Sequence, residues 1–310
     1  MIEEFSGDFI QWLRGFYYVA KTKSFSRAGL EIGRNQSTIS HQINCLEKEF
    51  GLRLIDRSGS KLALTPEGSF FLQKIISIFE QIKKIREYAT KTTSILEGHI
   101  HIVSTQTVIS YFLVHHVSTF IKKHPKVIFE VEGSDQAHIL LKAAYAETDF
   151  AILNQGSVPK DFVYQHLFVS KLVLIASKNF SYKIEEAPTL MQIAKLPFIS
   201  FIRTCSLYPI IEKQFSKKGL KLNTVVTLNN FETVKLYVAK GIGVSIMEDY
   251  SLNDKDKEVF DIFPLVHLYE ANRFGIIIRK RKYLSPSAKA FLETIKPDIQ
   301  VKNPTHRAGL

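Results

Sequence analysis

Cysteine is scarce. Cys45 and Cys205 are the only two in 310 residues, which excludes a disulfide-stapled scaffold and suits a reducing compartment. No apolar run approaches the length of a bilayer span, and the start Met1-Ile2-Glu3-Glu4 lacks the basic residues of an export signal. A cytoplasmic protein with no membrane association is expected. The motifs that carry catalysis are missing too: there is no phosphate-cradling loop, no Gly-x-Ser-x-Gly elbow and no His-Glu-x-x-His. Gly241-Ile242-Gly243 supplies two glycines of a dinucleotide fingerprint, but Ile246 stands at the third, and the segment enters a strand instead of leaving one. His99 and His101 share one face of a strand and His115-His116 are adjacent, yet no cysteine or carboxylate sits beside them at a metal-ligand spacing. The expectation is therefore no catalytic residue, no metal and no cofactor.

The net charge of +11 is unevenly placed. Residues 1–96 carry +4, residues 97–278 carry +1 and residues 279–310 carry +6. Most of the excess lies near the C-terminus, so basicity alone is weak support for nucleic-acid binding. Local geometry has to carry that case.

It does so in the stretch NQSTISHQINCLEKEF, residues 35–50. Ile39, Ile43, Leu46 and Phe50 form one narrow apolar stripe at helical spacing. The opposite face opens with Gln36, Ser37, Thr38, Ser40 and His41, and no acid appears before Glu47. A solvated face would mix in Lys and Glu from its first turn. Before this helix, FSRAGLEI (25–32) is a second helix and Gly33-Arg34-Asn35 a three-residue turn. After it, apolar residues alternate from Leu52 to Thr65 around Ser58-Gly59-Ser60, as in a small hairpin. Helix, turn, helix, hairpin is a winged helix-turn-helix.

Such a second helix can enter the major groove. Gln36 can donate and accept at once, as adenine requires, and Ser37, Thr38, Ser40 and His41 can reach bases or phosphates. Ser24 and Ser26 open the preceding helix, where hydroxyls and backbone N–H groups favour a phosphate. Arg57 and Lys61 flank the hairpin turn, in reach of DNA backbone or minor groove. Plainer readings stand beside these: Ser26 as a helix cap, Asn35 as a turn residue, Cys45 as small packing.

From Pro66 to about residue 96 there is no further proline, and Gly68 is the only glycine. Phe71, Ile75, Ile78, Ile82, Ile85 and Ala89 repeat as heptads, which predicts a helix of about 45 Å paired with a copy of itself or packed on its own domain. Beyond Gly98 the texture becomes alternating β and α. Strand-like runs fall at 99–104, 127–133, 149–153, 171–177, 198–202, 224–228 and 243–247, with helical patterns at 110–123, 137–146, 208–218 and 231–240. An α/β architecture with a largely parallel sheet is expected, binding ligands at strand C-termini. Ser104, Thr105, Gln106 and Thr107 follow a strand and open a helix, which suits a carboxylate or small oxyanion. Ser200, Phe201, Ile202 and Arg203 end a strand facing that loop, and Asn154 should open onto the same crevice. Each of these hydroxyls reads equally as a helix cap.

FYYVAKTKSFSRAGLEIGRNQSTISHQINCLEKEFGLRLIDRSGSKLALTPEG resembles the DNA-binding domain of LysR-type transcriptional regulators. The matching features are Phe16-x-x-Val19-Ala20, Ser24-Phe25-Ser26-x-Ala28, the helix Gln36…Ser40…Ile43…Leu46-Glu47, Gly51, Leu54-x-x-Arg57 and Leu64-Thr65-x-x-Gly68. Gly29, Ile32 and Ile55 depart from the usual Ala, Leu and Phe. The resemblance implies a winged helix-turn-helix at 1–65, a linker helix at 66–96 and an effector domain at 97–297 similar to periplasmic binding proteins. Its lobe one would be 97–168 plus 268–297 and its lobe two 169–267, followed by a basic tail at 298–310. It also implies promoter DNA as partner, a homodimer assembling to a homotetramer, and RNA polymerase as a further partner. Thr105-Gln106, Tyr111-x-Leu113 and VKLYVAKGIGVSI are most similar to the branch regulating cysteine and sulfur assimilation, whose members bind sulfate or an acetylserine-type inducer. Val103 and Ile202 stand where that branch has hydroxyls, and a less polar effector is the alternative. The competing class is a cytoplasmic small-molecule binding protein or enzyme on a solute-binding-like fold.

Overall fold

The computed structural model describes residues 8–57, 62–89, 96–156 and 158–299. The chain forms two compact units, residues 1–94 and 95–310.

In the first unit, α1 (Phe9–Thr22), α2 (Phe25–Ile32) and α3 (Gln36–Phe50) precede the short antiparallel strands β1 (Ile55–Asp56) and β2 (Ala63–Leu64), and α4 (Pro66–Ala89) follows. The turn between α2 and α3 is set by its ends. Gly33 takes the left-handed conformation at φ 67°, which costs glycine little. Asn35 then caps α3, its Oδ1 accepting from the Thr38 N–H at 2.8 Å. The apolar stripe is buried as expected: Ile39, Ile43 and Leu46 join Leu13, Phe16 and Val19 of α1, Leu54, and Ile75 of α4. Each such side chain contributes about 1.5–3 kcal/mol. Phe50 ends the stripe differently, half in solvent and edge-on to Phe71. Glu47, on α3 and buried, accepts from the backbone N–H groups of Leu54 and Ile55 at 2.8 and 3.1 Å, and so fastens the hairpin to the helix. Gly68 packs so closely on Leu54 that a Cβ there would meet its carbonyl oxygen. The hairpin tip Ser58-Gly59-Ser60 and Lys61 lie outside the described residues.

Along α4 the heptad residues divide. Ile75 is buried and Phe71 half-buried in the unit's own core, whereas Ile78 and Ile85 are exposed.

The second unit is a mixed α/β domain with three sheets among its described residues. Its chain order is β3 (Gly98–Ser104), α5 (Gln106–Val108) continuing through a π-helical segment (Ile109–Leu113) into α6 (Val114–Lys123), β4 (Val127–Gly133), α7 (Gln136–Ala144), β5 (Phe150–Asn154) and β6 (Phe162–Ser170). Then come β7 (Leu172–Ser177), α8 (Leu190–Lys195), β8 (Phe198–Phe201), α9 (Leu207–Lys217), β9 (Thr224–Leu228), α10 (Phe231–Ala239) and β10 (Ser245–Glu248). After a 3₁₀ turn (Asp249–Ser251), α11 (Asp254–Val259), β11 (Phe260–Pro264), β12 (Asn272–Arg279) and α12 (Pro286–Ile295) complete it.

One sheet runs β4-β3-β5-β12-β6 and makes lobe one; β10-β7-β11 and the pair β8-β9 make lobe two. In lobe one the strands alternate as period-two burial requires. Ile100, Ile102, Phe150, Ile152 and Ile276 face α6 and α12, while Val103, Ala151, Leu153 and Ile277 face α7. Lobe two has its own core around Leu174, Ile175, Phe198, Ile199, Phe215 and Ile246.

The expectation of a largely parallel sheet is corrected. β3 pairs parallel with β4 and β5, and β8 with β9, but β12 is antiparallel to β5 and β6, and β7 is antiparallel to β10 and β11. The cause is the passage between lobes. β6 leads straight into β7 and β11 returns to β12, and a strand that enters a sheet without a helical crossover runs against its neighbours.

Candidate functional site

Two surfaces concern function, one in each unit. In the first, the solvent side of α3 presents Gln36, Ser37 and His41 fully and Ser40 in part, with Asn44 one turn further on. The spacing 37, 41, 44 places Ser37, His41 and Asn44 across the helix from Ile39, Ile43 and Leu46, with Gln36 and Ser40 on the flank between the two faces. The first turn is pre-ordered: Asn35 Oδ1 accepts from the Ser37 hydroxyl at 2.8 Å and the Thr38 hydroxyl at 2.6 Å, as well as the Thr38 N–H. Asn35 and Thr38 thus build the helix end, while Gln36 stands exposed at its tip. His41 Nε2 lies 3.4 Å from Cys45 Sγ.

Ser24 is the N-cap of α2, its Oγ accepting from the Arg27 N–H at 3.3 Å, and Ser26 is exposed in the first turn. Arg57 donates to Asn44 Oδ1 at 3.0 Å, lies 3.8 Å from Glu47 Oε2 and stacks 5.0 Å above the Phe25 ring. Its guanidinium is therefore aimed along the α3 surface, held by three partners. Sequence reasoning missed Asn44. The series Ser37, His41, Asn44, at helical spacings of four and three, was the signal that could have found it.

In the second unit, a cavity of about 390 Å³ lies between the lobes. Four helices point their N-termini at it. From lobe one come α5, with Thr105 as N-cap, and α7, with Asp135 as N-cap; from lobe two come α9 behind Ser206 and α10 behind Asn230. Side chains cap three of them. Thr105 Oγ1 accepts from the Val108 N–H at 3.5 Å, Asp135 Oδ1 from the His138 N–H at 3.1 Å, and Asn230 Oδ1 from the Glu232 and Thr233 N–H groups at 2.8 and 3.1 Å. Ser206 makes no such bond. Cys205 sits at that uncapped end, where burial pushes its thiol pKa up and the Leu207 and Tyr208 N–H groups pull it back. Hydroxyls and amides make most of the wall, with the carboxylates of Asp135 and Glu232 and with Ile202 and Phe231 as apolar patches; no lysine or arginine lines it among the described residues.

Tyr111, on the π-helical segment, crosses the cavity: its hydroxyl donates to Glu232 of α10. Lys235 backs this contact, buried beneath it, 2.8 Å from Glu232 and 3.0 Å from Asp256, with its ammonium 4.9 Å from the centre of the Tyr111 ring. Irregular helical turns of this kind recur beside binding sites.

Of the residues expected here, the structure brings Thr105, Gln106, Thr107 and Ile202 to the cavity. Ser104 is corrected: it lies on the buried face of β3 and spends its hydroxyl on the Ile152 carbonyl at 2.6 Å. Ser200 is likewise buried within β8, and Phe201 packs its ring on Phe231 at 4.7 Å. Asn154 and Arg203 do not line the cavity. Val103 is buried against α7, so its missing hydroxyl removes nothing from the wall. Asp135 and Asn230 were missed, although an Asp or Asn directly before an apolar helical run is a capping signal.

Comparison with known proteins finds a family domain in each unit. Residues 10–69 match the bacterial regulatory helix-turn-helix proteins of the lysR family, and residues 94–300 match the LysR substrate binding domain. The chain is 27% identical over 285 residues to the HTH-type transcriptional activator CmpR of Synechocystis, across 90% of this chain and 91% of that protein. It is 25% identical over 272 residues to the HTH-type transcriptional regulator CysB of Haemophilus influenzae, across 86% and 82%. Its fold resembles that of a full-length OxyR variant from Pseudomonas aeruginosa, with a TM-score of 0.65 at 19% identity over 92% of this chain and 95% of that one. Two family domains in this order span most of the sequence: the chain belongs to the LysR family of DNA-binding transcriptional regulators with an effector-binding domain.

Proposed function

We propose that this regulator reads its operator with the exposed row of α3 and senses, between its lobes, a small organic molecule that carries a carboxylate or similar oxyanion. The observation that carries the second half is the convergence of four helix N-termini on one cavity whose two wall carboxylates are already engaged, Asp135 by His138 and Glu232 by Tyr111 and Lys235. Backbone N–H groups and aligned peptide dipoles favour an anionic group there. The hydroxyls of Thr105, Thr107 and Ser110 supply further donors on the lobe-one side. Ile202 and Phe231 offer an apolar surface opposite, which suits an effector with a carbon body better than a bare inorganic anion. At position 202 a missing hydroxyl costs such an anion about 1–3 kcal/mol.

A second reading, sulfate or an acetylserine-type inducer, is favoured by Thr105-Gln106 and Tyr111 at the same cavity. Binding in either case adds contacts to both lobes, so it stabilises whichever lobe arrangement lets both touch the ligand, and that differential affinity couples the cleft to DNA affinity.

On the DNA side, Gln36 reads a base and Ser37, Ser40, His41 and Asn44 contact bases or phosphates beside it. Ser24, Ser26 and Arg57 stand on the flanks as phosphate contacts, with Lys61 proposed alongside them from its sequence position. The exposed Ile78 and Ile85 on α4 suit a homodimer through that helix, with a homotetramer as the larger assembly and RNA polymerase as a partner at the promoter. Among the described residues no helix is long and apolar enough to cross a membrane, and a cytoplasmic location fits a protein that binds promoter DNA.

A gel shift on DNA from just upstream of its own gene tests this reading. It is run with competitor DNA, with and without sulfate, acetylserine and a panel of small carboxylates. A specific band whose affinity or mobility changes with a carboxylate supports the first reading. A response to sulfate alone would replace it with the second, and a specific band indifferent to every anion would remove the oxyanion from the account.

A further inference from the structure

Away from the cleft, at the other end of the same strand, three side chains converge that the regulator's DNA and effector chemistry leave unused. Sequence spacing offers no carboxylate near His99 and His101. The sheet does: β4 lies parallel to β3 in a register that pairs His101 with Glu130. His99 is two residues from His101 on the same face. Glu130 reaches both, Oε1 lying 3.2 Å from His99 Nδ1 and Oε2 2.9 Å from His101 Nδ1. The two imidazoles stack with centroids 6.1 Å apart and 24° between their planes. One ligating atom from each residue falls within 4.8 Å of the others.

We propose that His99, His101 and Glu130 bind a divalent late first-row transition ion, for which Zn²⁺ is the probe. Two imidazole nitrogens and one carboxylate oxygen form a donor set suited to Zn²⁺ and its neighbours and unsuited to Mg²⁺ or Ca²⁺, which take oxygen ligands. With bonds of 2.0–2.2 Å, ligand atoms around a tetrahedral ion sit roughly 3.3–3.5 Å apart. Each imidazole nitrogen already lies near that distance from one oxygen of the carboxylate, His99 from Oε1 and His101 from Oε2. A shared ion therefore needs the carboxylate to turn one oxygen inward and the imidazoles to close on each other. A rigid scaffold holds them: backbone hydrogen bonds join β3 and β4, and His101 is further fixed because its N–H donates to Asp149 Oδ2 at 2.9 Å and its carbonyl accepts from the Asp149 N–H at 2.8 Å.

The surroundings favour a cation. A cavity of about 340 Å³ opens beside His101, and Glu132 and Glu147 line it together with Glu130, against Lys142 alone of the cationic side chains. Lys142 is engaged with Glu132 at 2.7 Å. Three protein ligands leave a fourth position for water or an added ligand. Because β4 is the edge strand of lobe one, the ion would clamp that edge to β3 and stiffen the lobe whose helix ends face the cleft.

The test uses the tag-free full chain, stripped with chelator and titrated with Zn²⁺ by calorimetry. One ion per chain is expected. His101→Ala and Glu130→Gln should each weaken it at least tenfold, the lower limit of what loss of an outer-shell partner costs a metal site. The double variant His115→Ala/His116→Ala controls for surface histidines and should bind as the parent does. Circular dichroism shows whether each variant is folded, and Glu130→Gln keeps shape and volume should His101→Ala not fold. No binding by the parent, or binding that both site variants retain, would overturn the proposal. So would loss of binding in the His115/His116 control alone.

Discussion

Glu248→Gln should change how the effector domain's stability depends on pH. Glu248 ends β10 where strands pass between the lobes, and it is 5% exposed. Its Oε1 accepts from Asn272 Nδ2 at 2.6 Å, and the Ser170 hydroxyl lies between its Oε2 and Asp249 Oδ1, 2.9 Å from the latter. Burial pushes the Glu248 carboxyl from 4.5 up to about 7; hydrogen bonds from Ser170 and Asn272 oppose the rise and the Asp249 charge adds to it. One proton arrangement satisfies every group: neutral Glu248 donates to Ser170, and Ser170 donates to ionised Asp249. With Glu248 ionised, two carboxylates compete for a single hydroxyl hydrogen.

The sign follows from proton binding. Between pH 4.5 and 7 the folded chain holds this proton and the unfolded chain has lost it, so stability falls as pH rises through that window. The contribution is fully present below 4.5 and gone above about 7. The span corresponds to about 3 kcal/mol. Glutamine reproduces the neutral form, donating to Ser170 and accepting from Asn272, at every pH. The variant should therefore gain about 3 kcal/mol over the parent at pH 8.5, shrinking to about 1 kcal/mol at pH 5. Urea denaturation followed by circular dichroism, for both proteins across that range, measures it. Parallel stability curves at constant offset would refute the reasoning.

Three other outcomes are expected. Glu47→Ala strands the buried N–H groups of Leu54 and Ile55 and should cost about 1–3 kcal/mol for each; Trp12 fluorescence in urea reports the first unit, and Glu47→Gln, with one acceptor oxygen kept, should lose less. Gly68→Ala drives a Cβ into the Leu54 carbonyl, an overpacking loss of about 1–3 kcal/mol by the same assay; an unchanged midpoint would show that α4 can shift. Thr105→Val should abolish the effector's influence on gel mobility while leaving operator affinity intact, and a preserved response would remove the α5 terminus from the site.

The DNA-reading unit was legible because its determinants are local. The stripe Ile39, Ile43, Leu46 lies within one helix, and Gly33 and Asn35 mark its entry by conformation and capping. The effector domain was legible as alternating α and β, but its strand directions were not. β12 (Asn272–Arg279) was not among the strand-like runs read from the sequence, and it is the return from lobe two that makes it antiparallel to β5 and β6. The cleft was half visible. Strand ends were read as lining it, yet period-two alternation turns Ser104 and Ser200 into the sheets, and the wall is built instead by helix caps a few residues later. Asp135 and Asn230 come from opposite lobes, and no spacing links them. The pairing of His101 with Glu130 was invisible for a related reason, since register between parallel strands depends on the helices that connect them.

The central claim, that the polar row of α3 reads sequence, is tested most directly by selecting bound fragments from random DNA with the parent and with Gln36→Ala. The account predicts that the parent enriches two related half-sites, and that the variant loses about 1–3 kcal/mol of discrimination at one base pair in each. An equal loss of affinity on every sequence, with the enriched half-sites unchanged, would contradict it and make Gln36 a phosphate contact.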